Sequence, residues 1–295
     1  MGFATAGDGV RLYFEETGTG TPVIFVHEFG DNYRSWEPQV RRFARTRRCI
    51  TFAARGYPPS DVPSDPEAYS QAIAASDIAA VLDAAGVERA HVVGCSMGGF
   101  AALHFGLDHA DRALSIVAAG AGYGAEKQHE EYFRNISLTV ARNFEEIGAE
   151  RFAETYGSGA SRVQFQNKNP RGWREFVERL AQHSAAGAAA TMRGVQVRRP
   201  SLYDLADRFA RMAAPTLVVV GDEDDHCIQP GVFLKKTIPA CGLLILPKTG
   251  HAANQEEPEL FNTVLGEFLD AVEAGRWTPR DPRARPDQIM RTAGS

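Results

Sequence analysis

The chain has 295 residues, 44% apolar and 23% charged, with a formal net charge of −5. That is the composition of a globular protein long enough to bury a substantial core. Its mild acidity offers no basic face for nucleic acid, and no apolar run reaches the ~18 residues that cross a bilayer.

The N-terminal stretch MGFATAGDGVRLYFEE has no charged segment followed by an apolar one, so no secretion signal is expected. After the turn-rich Thr17-Gly18-Thr19-Gly20, the run Pro22 to Val26 reads as a buried strand. Gly18 and Gly20 precede that strand instead of joining it to a helix, so they form no dinucleotide fingerprint. Trp36 to Ala44 reads as a helix and Cys49 to Ala53 as the next strand. Ser70 to Ala85 places Ile73, Ile78, Val81 and Leu82 near one helical face. Ala90 to Gly94 then reads as a strand, Met97 to Leu107 as a helix and Ala113 to Ala119 as a strand. Continuously apolar strands alternating with helices predict an α/β fold, a mostly parallel sheet covered on both faces.

Between about 124 and 212 no strand-like run occurs; Glu131 to Ile147, Gly172 to Ser184 and Ser201 to Met212 read as helices. The earlier rhythm returns with strands at Thr216 to Val220 and Leu243 to Leu246, and helices at Gly231 to Thr237 and Glu257 to Ala274. The expected organisation is an α/β core at 1–123 and 213–275, a helical insertion at 124–212, and an Arg- and Pro-rich tail at 276–295, extended or disordered. The four cysteines, Cys49, Cys95, Cys227 and Cys241, show no C-x-x-C spacing. Their setting predicts small buried residues in a reducing, cytoplasmic compartment.

In a parallel α/β sheet, ligands gather beyond the carboxyl ends of the strands. Gly94-Cys95-Ser96-Met97-Gly98 stands there, a G-x-S-x-G element between a strand and a helix. Such a turn holds the serine hydroxyl outward, and the helix N-terminus behind it favours developing negative charge. Gly221-Asp222-Glu223-Asp224-Asp225-His226 follows a later strand, and Gly250-His251-Ala252 the last one. A serine needs a base, and the base a partner that fixes its tautomer. The chain order Ser96, one acid of the 222–225 run, then His251 supplies all three. Acyl chemistry also needs two N–H groups aimed at the oxyanion; Met97 would give one and the loop His27-Glu28-Phe29-Gly30 the other. Asp225, His226 and Cys227 are neighbours in sequence, and three adjacent residues seldom converge on one ion. No metal and no cofactor are expected.

With these segments, together with ARGYPPSD and GHAANQEEPELF, the chain resembles the α/β-hydrolase-fold family, serine hydrolases with a helical cap, over nearly all of residues 8–273. The resemblance implies Ser96 as nucleophile, Asp224 as acid, His251 as base, and the Phe29 and Met97 amides as oxyanion donors. The family commonly has glycine where this chain has Glu28, so Glu28 would be strained if its backbone were left-handed. Glu28 and, in the cap, Trp173 are therefore candidate substrate contacts, while His27 and Arg55 are expected to shape their loops. The expected activity is hydrolysis of a small carboxylic ester through an acyl-enzyme. Lactone hydrolysis and carbon–carbon cleavage of a vinylogous diketo acid stand as alternatives, and a small-molecule receptor with a retained triad is the non-enzyme one. The expected partner is a small carbonyl compound, with homodimerisation left open.

Overall fold

The computed structural model describes residues 1–284. Eight strands form one sheet, in the order β1 (Gly2–Thr5), β2 (Arg11–Thr17), β4 (Arg48–Phe52), β3 (Pro22–Val26), β5 (Ala90–Cys95), β6 (Ala113–Ala119), β7 (Thr216–Gly221) and β8 (Cys241–Leu246). From β4 to β8 every pairing is parallel, while β1 and β2 add an antiparallel edge.

The period-2 geometry of the strands divides their side chains between two cores. On β3, Ile24 and Val26 join one core and Val23 and Phe25 the other; β6 and β7 split the same way at Ile116/Val117 and Val218/Val219. Helices α2 (Gln71–Ala84), α3 (Met97–Asp108) and α9 (Asp225–Thr237) cover the first face. The second is closed by Trp36, by Phe43 of α1 (Glu37–Phe43) and by Phe261, Leu265, Phe268 and Leu269 of α10 (Pro258–Glu273). Burial on both sides is why these strands read as unbroken apolar runs.

Between β6 and β7 the chain forms only helices: α4 (Glu130–Gly157), α5 (Val163–Lys168), α6 (Pro170–Ala181), α7 (Ala185–Thr191) and α8 (Ala206–Phe209). The helix expected to stop at Ile147 does break there, because Gly148 takes φ 78° and ψ 165°, but it resumes to Gly157. The segment Ser201 to Met212, expected as one helix, is a 3-10 turn at Leu202–Leu205 followed by the short α8. Phe144, Phe152, Phe165, Phe176 and Leu180 pack with Phe29, Tyr57 and Met97 of the core in a third apolar cluster, which seats the helical layer over the strand ends.

The antiparallel pair β1–β2 was not anticipated. Its signals are an Asp8-Gly9 turn, with Gly9 at φ 87°, and inward Leu12 and Phe14 alternating with partly exposed neighbours. Helix α9 begins six residues before the expected Gly231, since Pro230 is accommodated inside the helix at the cost of one backbone bond. Of the tail, Trp277 stacks edge-on against Phe268 and donates its indole N–H to the Ala240 carbonyl at 2.9 Å. Positions 285–295 lie outside the described residues.

Candidate active site

The strand-to-helix turn after β5 is made possible by two contacts that only glycine permits. A Cβ on Gly94 would lie 2.0 Å from the Gly98 carbonyl oxygen, and one on Gly98 2.1 Å from that of Val26. Between them Ser96 takes φ 53° and ψ −115°, one of two non-glycine residues with positive φ among those described. Such a conformation costs ~1–3 kcal/mol and persists because the surrounding backbone fixes it; the Ser96 amide donates to the Ala119 carbonyl on β6 at 2.7 Å.

The hydroxyl turned out by that strain meets an imidazole: Ser96 Oγ is 2.7 Å from His251 Nε2. On its other side, His251 Nδ1 is 2.8 Å from Asp224 Oδ2. The turn carrying His251 approaches closely because β7 ends in Gly221, where a Cβ would sit 2.1 Å from the Thr249 carbonyl. Glu256 then clamps the turn, its carboxylate accepting from the Gly250 and Ala252 amides at 2.8 and 3.0 Å. Of the acids at 222–225 only Asp224 is buried. Burial alone would raise its pKa, but the charge and hydrogen bond of His251 outweigh that and hold it below the ordinary aspartate value.

Phe29 and Met97 are both buried beside this arrangement. Among the described residues neither amide donates to another protein group, and the Phe29 carbonyl is held by the Tyr57 hydroxyl at 3.0 Å. His27 shapes the loop: Nε2 accepts from the Ala54 amide at 3.0 Å, and Nδ1 donates to the Glu28 carbonyl at 2.7 Å. Burial lowers the His27 pKa, which favours this neutral tautomer. Arg55 braces its segment with bonds to Asp77, Asp8 and the Ala68 carbonyl.

Glu28 does not have a positive φ, so the strain anticipated there is absent. Its buried carboxylate is instead committed to Arg162, with Nη1 to Oε1 at 3.0 Å and a second, shorter Nη2–Oε2 contact. The guanidinium of Arg162 also lies 4.9 Å from the centre of the Phe176 ring. The preceding residue, Ser161, accepts the His251 amide through its carbonyl at 3.1 Å. Residues 161 and 162 thus bind the helical layer to both the turn carrying His251 and the loop carrying Glu28 and Phe29. Trp173 packs on the apolar cluster that includes Phe29 and Met97, and its indole donates to the Gly157 carbonyl at 2.8 Å within the helical layer.

Removing one partner of a buried pair strands the other charge, which costs ~3–5 kcal/mol. Arg162→Met is expected to lower the unfolding free energy by that much, measured by urea denaturation. The double variant Glu28→Gln/Arg162→Met should regain most of the loss. A double variant no more stable than Arg162→Met would refute the stranded-charge account.

Tyr123 is a site residue that the sequence reading missed. Its ring lies parallel to the His251 imidazole, with centroids 4.7 Å apart and an interplanar angle of 1°. This contact limits rotation of the imidazole out of its two hydrogen bonds.

A family model described as alpha/beta hydrolase fold matches residues 21–258. The chain belongs to the α/β-hydrolase fold family. Within it, this hydrolase is 28% identical over 255 residues to 3-oxoadipate enol-lactonase 1 of Acinetobacter baylyi, covering 85% of this chain and 89% of that relative. It is 26% identical over 270 residues to 2-hydroxy-6-oxo-6-phenylhexa-2,4-dienoate hydrolase of Burkholderia cepacia, covering 88% and 91%. A malate-bound thermophilic esterase from Thermogutta terrifontis superposes with a TM-score of 0.79 at 26% identity, covering 92% of this chain and 98% of that one. No helix among the described residues of this α/β hydrolase is long and apolar enough to cross a membrane.

Proposed function

We propose that this α/β hydrolase cleaves a small, uncharged carboxylic ester through an acyl-enzyme on Ser96. The observation that carries the reading is the unbroken contact series from Ser96 Oγ through His251 to Asp224, at 2.7 and 2.8 Å. Ser96 Oγ attacks the ester carbonyl carbon while His251 Nε2 takes its proton, and Asp224 stabilises the resulting imidazolium. The Phe29 and Met97 amides hold the oxyanion. Collapse of the tetrahedral intermediate breaks the carbon–oxygen bond to the alkoxide, which leaves with the proton from His251. Water, deprotonated by the same nitrogen, then attacks the acyl-enzyme and frees the acid and Ser96.

The preference for an uncharged ester rests on charge. The buried guanidiniums of Arg55 and Arg162 and the largely buried one of Arg179 are each closed by a carboxylate, from Asp77, Glu28 and Asp31 respectively. The seam that starts at Phe29 and Met97 is apolar, with Phe144, Phe152 and Tyr156 against it. An enol-lactonase, a dienoate hydrolase and an esterase among the relatives support carbonyl chemistry as the common theme.

The test is a p-nitrophenyl acetate or butyrate assay with rapid mixing. A burst of p-nitrophenol close to one per active site is expected, and a fluorophosphonate probe should label Ser96 in peptide mapping. Absence of both burst and turnover favours the receptor reading, and labelling elsewhere overturns the nucleophile.

One observation favours a second reading, an acidic lactone or a vinylogous diketo acid as substrate. The guanidinium carbon of Arg199 lies 3.6 Å from the centre of the Phe100 ring and its Nη2 donates to the Tyr123 carbonyl. Among the described residues no carboxylate pairs with it, and burial lowers its pKa. On this reading Arg199→Met raises KM for a substrate bearing a free carboxylate while leaving a neutral ester unaffected. If it leaves both unaffected, the uncharged ester stands.

A further inference from the structure

Glu126-Lys127-Gln128-His129 opens the helical layer, and the spacing of Glu126 and His129 puts both on one side of a single helical turn. Opposite them stands His226, in the first turn of α9 and two residues beyond Asp224. The potential ligand atoms of Glu126, His129 and His226 all lie within 4.8 Å of one another. The two imidazole rings face each other edge to face, with centroids 5.1 Å apart and planes at 81°. All three residues are half-buried, so water and ions reach the cluster.

We infer that Glu126, His129 and His226 form a binding site for one divalent transition-metal ion of the zinc class, joining the first turn of the helical layer to the loop that carries Asp224. Two imidazole nitrogens and one carboxylate oxygen select borderline ions such as Zn2+ over Mg2+ or Ca2+, which demand all-oxygen shells. In a tetrahedral site an ion ~2.0–2.2 Å from each ligand atom sets those atoms about 3.3–3.6 Å apart, so side-chain rotations that move the ligand atoms by roughly 1–1.5 Å close the site. Partial exposure leaves a fourth position for water. The ligands come from segments remote in sequence, which is why the adjacent run Asp225-His226-Cys227 gave no indication of a site. Phe133, 4.8 Å from the His226 ring and nearly perpendicular to it, walls one side.

Bound ion would tie two parts of the chain that otherwise meet here only through side-chain packing. Because an ion that binds only the folded state stabilises it by mass action, occupancy should raise the thermal midpoint.

The experiment titrates the metal-free full chain with Zn2+ by calorimetry, with Co2+ absorption as a second probe of coordination. One ion per chain is expected, together with a rise in thermal midpoint. His226→Ala and His129→Ala should each weaken binding by no less than the ~10–100-fold that even outer-shell partners are worth. They should also abolish the thermal shift while leaving metal-free ester turnover unchanged. A second buried group, Asp224, Cys227 and His251, has the same mutual closeness and belongs to the candidate active site. Zn2+ binding that survives both histidine variants but falls in Cys227→Ser would place the ion there and overturn the proposal. So would the lack of saturable binding up to millimolar Zn2+.

Discussion

Ser96→Ala is expected to lower kcat for a p-nitrophenyl ester by at least ~10³-fold and to abolish the burst, with KM little changed. The loss follows from position as much as from chemistry. The backbone of the turn puts one side chain at the helix N-terminus, in reach of His251 and next to the Met97 amide, and alanine leaves no atom there to attack. On the proposed mechanism His251 can still activate water and the Phe29 and Met97 amides remain, so some turnover above background is expected. Circular dichroism should show an unaltered fold. An unchanged kcat in a correctly folded variant would refute Ser96 as nucleophile.

Asp224→Asn is expected to cost kcat ~10⁴-fold, because an amide facing His251 Nδ1 favours the tautomer that cannot accept the serine proton and offers no charge to the imidazolium. Asp222→Asn should lose less than ~10-fold. Asp222 is exposed, and its Oδ1 accepts from the Thr249 amide at 3.1 Å, a role that asparagine retains. Paired kcat measurements on the two variants decide the matter; a larger loss at position 222 would move the acid to that residue.

The sheet was legible because β3 to β7 are buried on both faces, which writes each of these strands as a continuous apolar run. The elbow was legible because its glycines answer to hard contacts, at Gly94 and Gly98, that any chain folding this way must relieve. The edge hairpin was not: β1 has four residues and carries the half-exposed Phe3, so its pattern is short and weak. At the site, the choice of Asp224 came from the family resemblance, whereas Ser96, an acid of the 222–225 run and His251 could be ordered from strand ends alone. The partner of Glu28 could not, since Arg162 comes from a helical layer whose docking depends on tertiary packing. The same holds for Tyr123 against His251 and for Glu126 and His129 against His226. Glu28 itself invited a backbone explanation, and the structure supplies an electrostatic one.

The anchor at Ser161 and Arg162 bears on how such a protein can diversify. Among the described residues, the helical layer is tied by hydrogen bonds to the two loops beside Ser96 through the Ser161 carbonyl, the Arg162 guanidinium, Arg179 on Asp31 and Lys168 on Thr249. The remaining walls of the seam are held by apolar packing, which tolerates volume-conserving exchange. New specificities can therefore be reached by redrawing α4 and α7 around these retained ties, leaving Ser96, His251 and Asp224 untouched. A chimaera that imports a foreign helical layer has these four junctions to respect, and the Glu28–Arg162 contact is one buried at both ends.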